Sequence, residues 1–127
     1  MINKQHGFTL TEFLVAIVIL MVGLLGMLTA INVAMDRNLE NAYRSEAVML
    51  ADNQMMRLRA QSYGSIPAFW PASSVKISIR GGMKNYSVVR TISQPTSKSK
   101  QVLINVNWRK KNTKYSHTIE SMFTTKD

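Results

Sequence analysis

Few residues in this 127-residue chain have side chains that could do chemistry. There is no cysteine, so disulfides, thiolate nucleophiles and cysteine-based metal sites are excluded. The two histidines, His6 and His117, are far apart, and only seven Asp and Glu residues accompany them. A triad, a carboxylate pair or a metal cage would need more groups than these. The composition predicts a protein that is not an enzyme and holds no metal or cofactor, with His117 an ordinary strand residue.

One acidic residue, Glu12, occupies an unusual place. It is the only charged residue between Phe8 and Met35, a run dominated by Leu, Ile, Val, Met and Ala. A carboxylate in a membrane helix costs about 2.5–3.5 kcal/mol at mid-depth, so a partner is expected. Thr9 lies three residues earlier, and Thr-x-x-Glu is a capping box at a helix start, where a negative group also suits the helix dipole.

The element that must position Glu12 is the apolar run itself. Residues 8–35 are long enough to cross a bilayer, which needs about 20 residues in a helix. Residues 1–7 form a short leader whose Lys4 favours a cytoplasmic N-terminus, so that the rest of the chain lies outside the cytoplasm. Gly23 and Gly26 interrupt the run and indicate either close contact with another helix or a weak point where the helix can stretch.

Residues 36–62 continue without proline or glycine and predict an amphipathic extension of the same helix. Its apolar positions recur at spacings of three and four. They are Leu39, Tyr43, Ala47, Leu50, Ala51, Met55 and Leu58. Residues 63–74 read as a loop with Pro67 and Pro71, whose aromatic residues Phe69 and Trp70 are expected to fold back on the core.

Residues 75–127 predict a small antiparallel sheet. Val75, Ile77 and Ile79 alternate with polar residues, and Gly81-Gly82 reads as a hairpin turn. Second and fourth strands are expected over 85–93 and 115–123, with a polar loop at 94–100 and a turn at 110–113. Val102, Ile104, Val106 and Trp108 would share one face of the third strand. The predicted fold is α+β, a long N-terminal helix packed on four antiparallel strands.

The net charge of +9 lies in the sheet region, because residues from Val75 onward carry eleven bases and two acids. The ordinary interpretation is a solvated basic surface. The alternative is an anion or DNA contact around two loops. Its residues would be Lys98, Lys100, Arg109, Lys110, Lys111 and Lys114.

Gly7-Phe8-Thr9-Leu10-Thr11-Glu12, followed by the apolar run, resembles the class III signal of type IV pilin-like proteins. The resemblance implies that a prepilin peptidase cuts between Gly7 and Phe8 and N-methylates Phe8. It implies that Glu12 faces the free N-terminal amine of a neighbouring subunit in a filament. It also implies the type IV pilin fold, other pilins as partners, an inner-membrane assembly platform, and residence in the inner membrane before assembly. Thr11 departs from the aliphatic residue or proline usual before the glutamate.

Weaker similarities concern the subfamily. Gly23-Leu24-Leu25-Gly26 resembles minor pilins of the PilV type, also called type IV pilus modification proteins, as do segments 44–60 and 106–109. Ala51-Asp52-Asn53-Gln54 is similar instead to the I-type minor pseudopilin of type II secretion. The sequence therefore favours a minor pilin, with a pseudopilin and a DNA-binding competence pilin as alternatives. A plain single-pass membrane protein is a rival that an uncut N-terminus would favour.

Overall fold

The structure is a computed structural model that describes residues 7–125. The chain divides into two compact units, residues 1–39 and 40–127. One helix, α1 (Leu10–Arg59), begins in the first unit and continues into the second without a break. Its N-terminal part is long and apolar enough to cross a membrane, and none of that span is buried within the structure. The continuous helix predicted from the absence of a breaker before Tyr63 is confirmed.

Hydrogen bonds between residues close in sequence define both ends of α1. At the start, Thr9 precedes the first helical residue and accepts a hydrogen bond from the Glu12 N–H, so the helix begins at Leu10 rather than Phe8. At the other end, the Gln61 N–H bonds to the Leu58 carbonyl, which tightens the last turn. A short 3-10 turn, Tyr63–Ser65, follows.

The second unit holds a four-stranded antiparallel sheet in the order β1-β2-β3-β4, as the alternation predicts. The strands are β1 (Ser73–Ile79), β2 (Gly82–Thr96), β3 (Ser99–Lys110) and β4 (Thr113–Thr124). Two residues separate each strand from the next. Most of the segments 94–100 and 110–113, which were expected to be a loop and a turn, therefore belong to strand ends. The fold is the α+β arrangement expected from the sequence.

The first hairpin turn lies one residue earlier than the sequence suggests. Its two central residues are Arg80 and Gly81, with φ of 49° and 81°, and Gly82 already belongs to β2. Positive φ at both positions is typical of the type I′ turn, whose twist matches that of the flanking strands. Arg80 adopts a conformation that favours glycine, and this is why the pair Gly81-Gly82 looked like the better turn.

The core lies between the sheet and the helix segment Glu40–Arg59. Ala47, Ala51, Met55 and Leu58 are buried on the predicted helix face. From the sheet, the predicted β3 face is wholly buried, and residues of β1 and β2 join it. These sheet residues are Ile79, Tyr86, Val88, Val102, Ile104, Val106 and Trp108. Phe69 differs from expectation, since its side chain is 80% exposed.

Candidate assembly and processing site

The segment Gly7–Glu12 places an acidic group at the start of α1. The Thr9 N–H and hydroxyl both donate to Glu12 Oε2, at 2.9 and 3.2 Å. In return, the Glu12 N–H donates to Thr9 Oγ1 at 3.2 Å. These reciprocal bonds are a capping box, as the spacing of the two residues predicts.

The capping box uses only one oxygen of the Glu12 carboxylate. Within residues 7–125, Oε1 accepts no hydrogen bond, and the residue is exposed. The carboxylate can therefore accept a donor from outside while it still caps its own helix. In a lipid or protein environment of low dielectric constant, a cation in that place would interact strongly with it.

The residues on either side of the expected cut are accessible. Phe8 is exposed and lies outside the helix. A Cβ added at Gly7 would meet no atom within 4 Å. Contacts within the described part of the chain therefore do not require glycine at position 7.

Gly23 and Gly26 also face open space, since a Cβ at either would meet nothing within 4 Å. The helix continues through both. Thr29, which the sequence reasoning overlooked, donates its hydroxyl to the Leu25 carbonyl at 3.0 Å. Such bonds to the carbonyl four residues back often bend a helix slightly. Neither interpretation of the two glycines is excluded by contacts within the chain.

The six basic residues considered for an anion site are divided between the two ends of β3. Lys98 and Lys100 lie at the β2–β3 turn, and the other four lie at the β3–β4 turn. A strand rises about 3.3 Å per residue, so roughly 30 Å of sheet separates Lys100 from Arg109. The two groups are therefore separate basic patches at opposite ends of β3.

Two of the six are engaged in internal structure. The Lys100 ammonium donates to the carbonyls of Tyr63 and Ile66, at 3.1 and 2.9 Å, and lies over the Tyr63 ring. Lys110 is buried and lies 3.7 Å from the carboxylate of Glu40. Their role in this structure is to hold the sheet to the 3-10 turn and to α1.

The other four, Lys98, Arg109, Lys111 and Lys114, are exposed at the surface. Arg109 and Lys114 are exposed and directly opposite each other in the β3–β4 pairing. Like charges opposite each other in a sheet destabilise it. Lys111 occupies the turn with a φ of 53°. Arg109, Lys111 and Lys114 are the exposed members of the predicted basic set at the β3–β4 turn, where an anion could contact them together.

His117 lies in β4 opposite Val106, as an ordinary strand residue would. Its Nε2 is buried and has no hydrogen-bond partner in residues 7–125. The same part of the chain contains no group of three or more His, Asp and Glu side chains that could hold a metal ion.

Comparison with protein families finds a match at the N-terminal part of the chain. The family described as the prokaryotic N-terminal methylation motif matches residues 2–28, which include the segment that caps α1 and most of the apolar run. No curated protein and no solved structure matches the chain.

Proposed function

We propose that this chain, a type IV pilin-like protein by its N-terminal methylation motif and its α+β fold, is a minor pilin of the PilV type. It is cut between Gly7 and Phe8 by prepilin peptidase, N-methylated on Phe8, and held in the inner membrane with its sheet outside the cytoplasm. From there an assembly platform adds it to a filament, whose assembly it primes or modifies. Its role is structural, not catalytic.

The observation that carries the proposed assembly role, whether in a pilus or a pseudopilus, is the state of Glu12. Its carboxylate caps α1 through Oε2 and keeps Oε1 available, at the head of an apolar helix surface that is exposed. The N-terminal amine of a neighbouring subunit supplies the missing cation. Each charge then offsets part of the desolvation cost of the other, and the pair sets the register between the subunits.

Two substitutions separate this pairing from the capping box. Glu12→Gln removes the charge but keeps a side chain that can complete a capping box. Thr9→Ala removes the hydroxyl of the box and keeps the charge. We expect Glu12→Gln to lower the amount of the subunit in sheared filaments at least about tenfold, which needs only about 1.4 kcal/mol of lost interaction. Thr9→Ala should stay near the unsubstituted level.

The control is the amount of each variant in the membrane fraction, which must equal that of the unsubstituted protein. A carboxamide costs less free energy to insert into a membrane than a carboxylate, so Glu12→Gln should not reduce insertion. If Glu12→Gln enters filaments as well as the unsubstituted chain, the charge has no role in assembly. If Thr9→Ala is the more defective of the two, the capping box, and not the ion pair, accounts for the glutamate.

A pseudopilin of a type II secretion system would use the same signal, fold and ion pair. The two machines differ in their products. A minor pilin is recovered with surface filaments, and its deletion reduces piliation. A pseudopilin is retained at the cell envelope, and its deletion blocks the release of secreted proteins without affecting surface filaments.

A competence pilin that binds DNA is favoured only by the surface cations at the β3–β4 turn. Such binding would weaken as salt is raised, because phosphate contacts release counterions. The full chain with Arg109→Ala and Lys114→Ala should then lose DNA binding at low salt, while Lys98→Ala, at the other end of β3, should not. Absence of binding by the unsubstituted chain at low salt would eliminate this alternative.

A further inference from the structure

The second strand of the sheet extends beyond the first. β1 pairs with β2 only as far as Val88, whereas β2 continues to Thr96. Residues 89–93 and Thr96 are therefore paired with β3 on one side only, and residues 94–95 lie in a register shift. Within the described chain, no backbone hydrogen bond joins them to the preceding loop, residues 66–72. This part of β2, which we call the open edge, is a sheet edge of the kind that can pair with another strand.

The hairpin geometry indicates which backbone groups point outward at the open edge. In an antiparallel strand the N–H and C=O of one residue point to the same side, and successive residues alternate. The two-residue turn makes Ile79 and Gly82 a hydrogen-bonded pair, so Gly82 points towards β1. Counting along β2 in steps of two, Arg90 and Ile92 point to the β1 side, where β1 has ended.

The open edge has a defined end and a groove beside it. A register shift between Ser93 and Thr96 and the absence of an N–H on Pro95 end its regular part. A groove of about 480 Å³ runs along it. The lining residues come from both faces of β2 and from the loop before β1. Those that the proposal uses are Phe69, Trp70, Arg90 and Ile92. Phe69, with most of its ring exposed, supplies an apolar wall.

Arg90 gives the groove a charge that is only partly matched. Its Nη2 donates to Gln54 Oε1 at 2.7 Å and lies 3.4 Å from Ser73 Oγ. The guanidinium lies over the Trp70 ring, 4.7 Å from its centroid. Its Nε and Nη1 are buried and have no acceptor in the described chain. Burial lowers the pKa of Arg90, which is the direction expected for a cation that lacks a carboxylate.

We propose that the open edge accepts an extended segment of another polypeptide as an added strand, and that an acidic side chain of that segment pairs with Arg90. The added backbone bonds to the N–H and C=O of Arg90 and Ile92, while its side chains contact Phe69 and Trp70. Backbone bonds supply the affinity in strand addition, and side-chain pockets supply the selectivity. The proposal does not depend on the role of Glu12 in assembly.

Charge favours an acidic partner over a second copy of this chain. No acidic residue lines the groove, and the region from Val75 onward has eleven bases against two acids. Two open edges facing each other would bring two Arg90 side chains together, which is unfavourable. The outer edges of β1 and β4 are also unpaired, but neither has a groove that contains a charged side chain with missing acceptors within the described residues.

The test uses the full chain in detergent micelles and two blocked heptapeptides. In both, threonine alternates with valine, and the central residue is aspartate in one and asparagine in the other. Nuclear magnetic resonance follows amide hydrogen exchange. The aspartate peptide should slow exchange at Arg90 and Ile92 at least about tenfold at saturation, with no change along β4. The asparagine peptide should bind about tenfold more weakly, because bonds between charged groups are stronger.

Two substitutions check the mechanism. Ile92→Pro removes one outward N–H at an edge, where proline is tolerated, and should abolish binding of both peptides. Arg90→Gln should keep the backbone protection and lose the preference for aspartate, and it remains informative if Ile92→Pro does not fold. Unchanged exchange at Arg90 and Ile92 with millimolar peptide would overturn the proposal. So would equal affinity for the two peptides, or protection of these amides by self-association without peptide.

Discussion

Tyr86 shows what a single buried polar group contributes to the sheet unit. It is fully buried, and its hydroxyl donates to the Tyr43 carbonyl on α1 at 2.9 Å. Burial, followed by the negative charge of Glu46 and the effect of Tyr43, raises the pKa of Tyr86 from 10.0 to about 12. The folded state therefore favours the neutral phenol. This contribution is complete below pH 10 and is lost as the pH rises from 10 to 12.

Tyr86→Phe should remove this pH dependence. At neutral pH we expect a loss of about 1 kcal/mol in the free energy of unfolding, the usual value of one hydrogen bond. Between pH 10 and 12 the unsubstituted chain should lose stability faster than the variant, so that the gap between them narrows. Denaturant unfolding of the full chain in detergent, followed by tryptophan fluorescence, measures both. Lysines titrate in both proteins, so the difference in unfolding free energy between them reports Tyr86. If that difference stays constant up to pH 12, the raised pKa of Tyr86 is contradicted.

At the scale of elements, small side chains let α1 approach the sheet. Ala47 and Ala51 are completely buried on the helix face that meets the sheet. A larger residue there would overlap packed neighbours, and overpacking costs about 1–3 kcal/mol. The exposed Met49 lies on the same helix, outside this contact.

Ala51→Leu should therefore destabilise the sheet unit by about 1–3 kcal/mol, while Met49→Leu should change its stability by less than about 0.5 kcal/mol. Both substitutions introduce the same strong helix former, so helix propensity does not favour either result. Thermal unfolding of the two full-length variants provides the comparison. Equal effects would mean that α1 does not pack closely on the sheet at Ala51.

The elements of the second unit could be predicted because their signals are local and repeated. Alternation in β1 and β3 placed Val75, Ile77 and Ile79, and then Val102 to Trp108, on the inner face. The turns were less predictable. Arg80 takes a positive φ that its residue type does not favour, and the pairing of two strands imposes it. A polar stretch such as 94–100 becomes strand ends only when its partner strand is present.

The candidate sites also divide into those that depend on local contacts, which the sequence shows, and those that depend on distant contacts, which it does not. The capping box at Glu12 depends on two residues three apart, and the sequence showed it. The engagement of Lys100 and Lys110 depends on partners far away in sequence, so both looked like free surface charges. Arg90 was overlooked for the same reason, since Gln54, Ser73 and Trp70 reach it from three separate segments.

At the scale of the whole molecule, the two units present different surfaces. The N-terminal part of α1 exposes nearly all its apolar side chains, so lipid or other helices must cover it. The sheet unit buries its own core and leaves only local features, the open edge and the cations of the β3–β4 turn, for partners. This division suits a subunit that is stored in a membrane and then transferred to a helical bundle.

In the proposed function, transfer follows removal of residues 1–7 as a leader, and this can be tested on the whole chain. Gly7→Leu should leave the precursor uncut, because a peptidase must approach the backbone at this position closely. Gly23→Leu is the matched control, since a Cβ at either glycine meets nothing within 4 Å. Intact mass measurement should find the control beginning at N-methylated Phe8 and the Gly7 variant retaining residues 1–7. Normal cleavage of the Gly7 variant would show that the cut lies elsewhere.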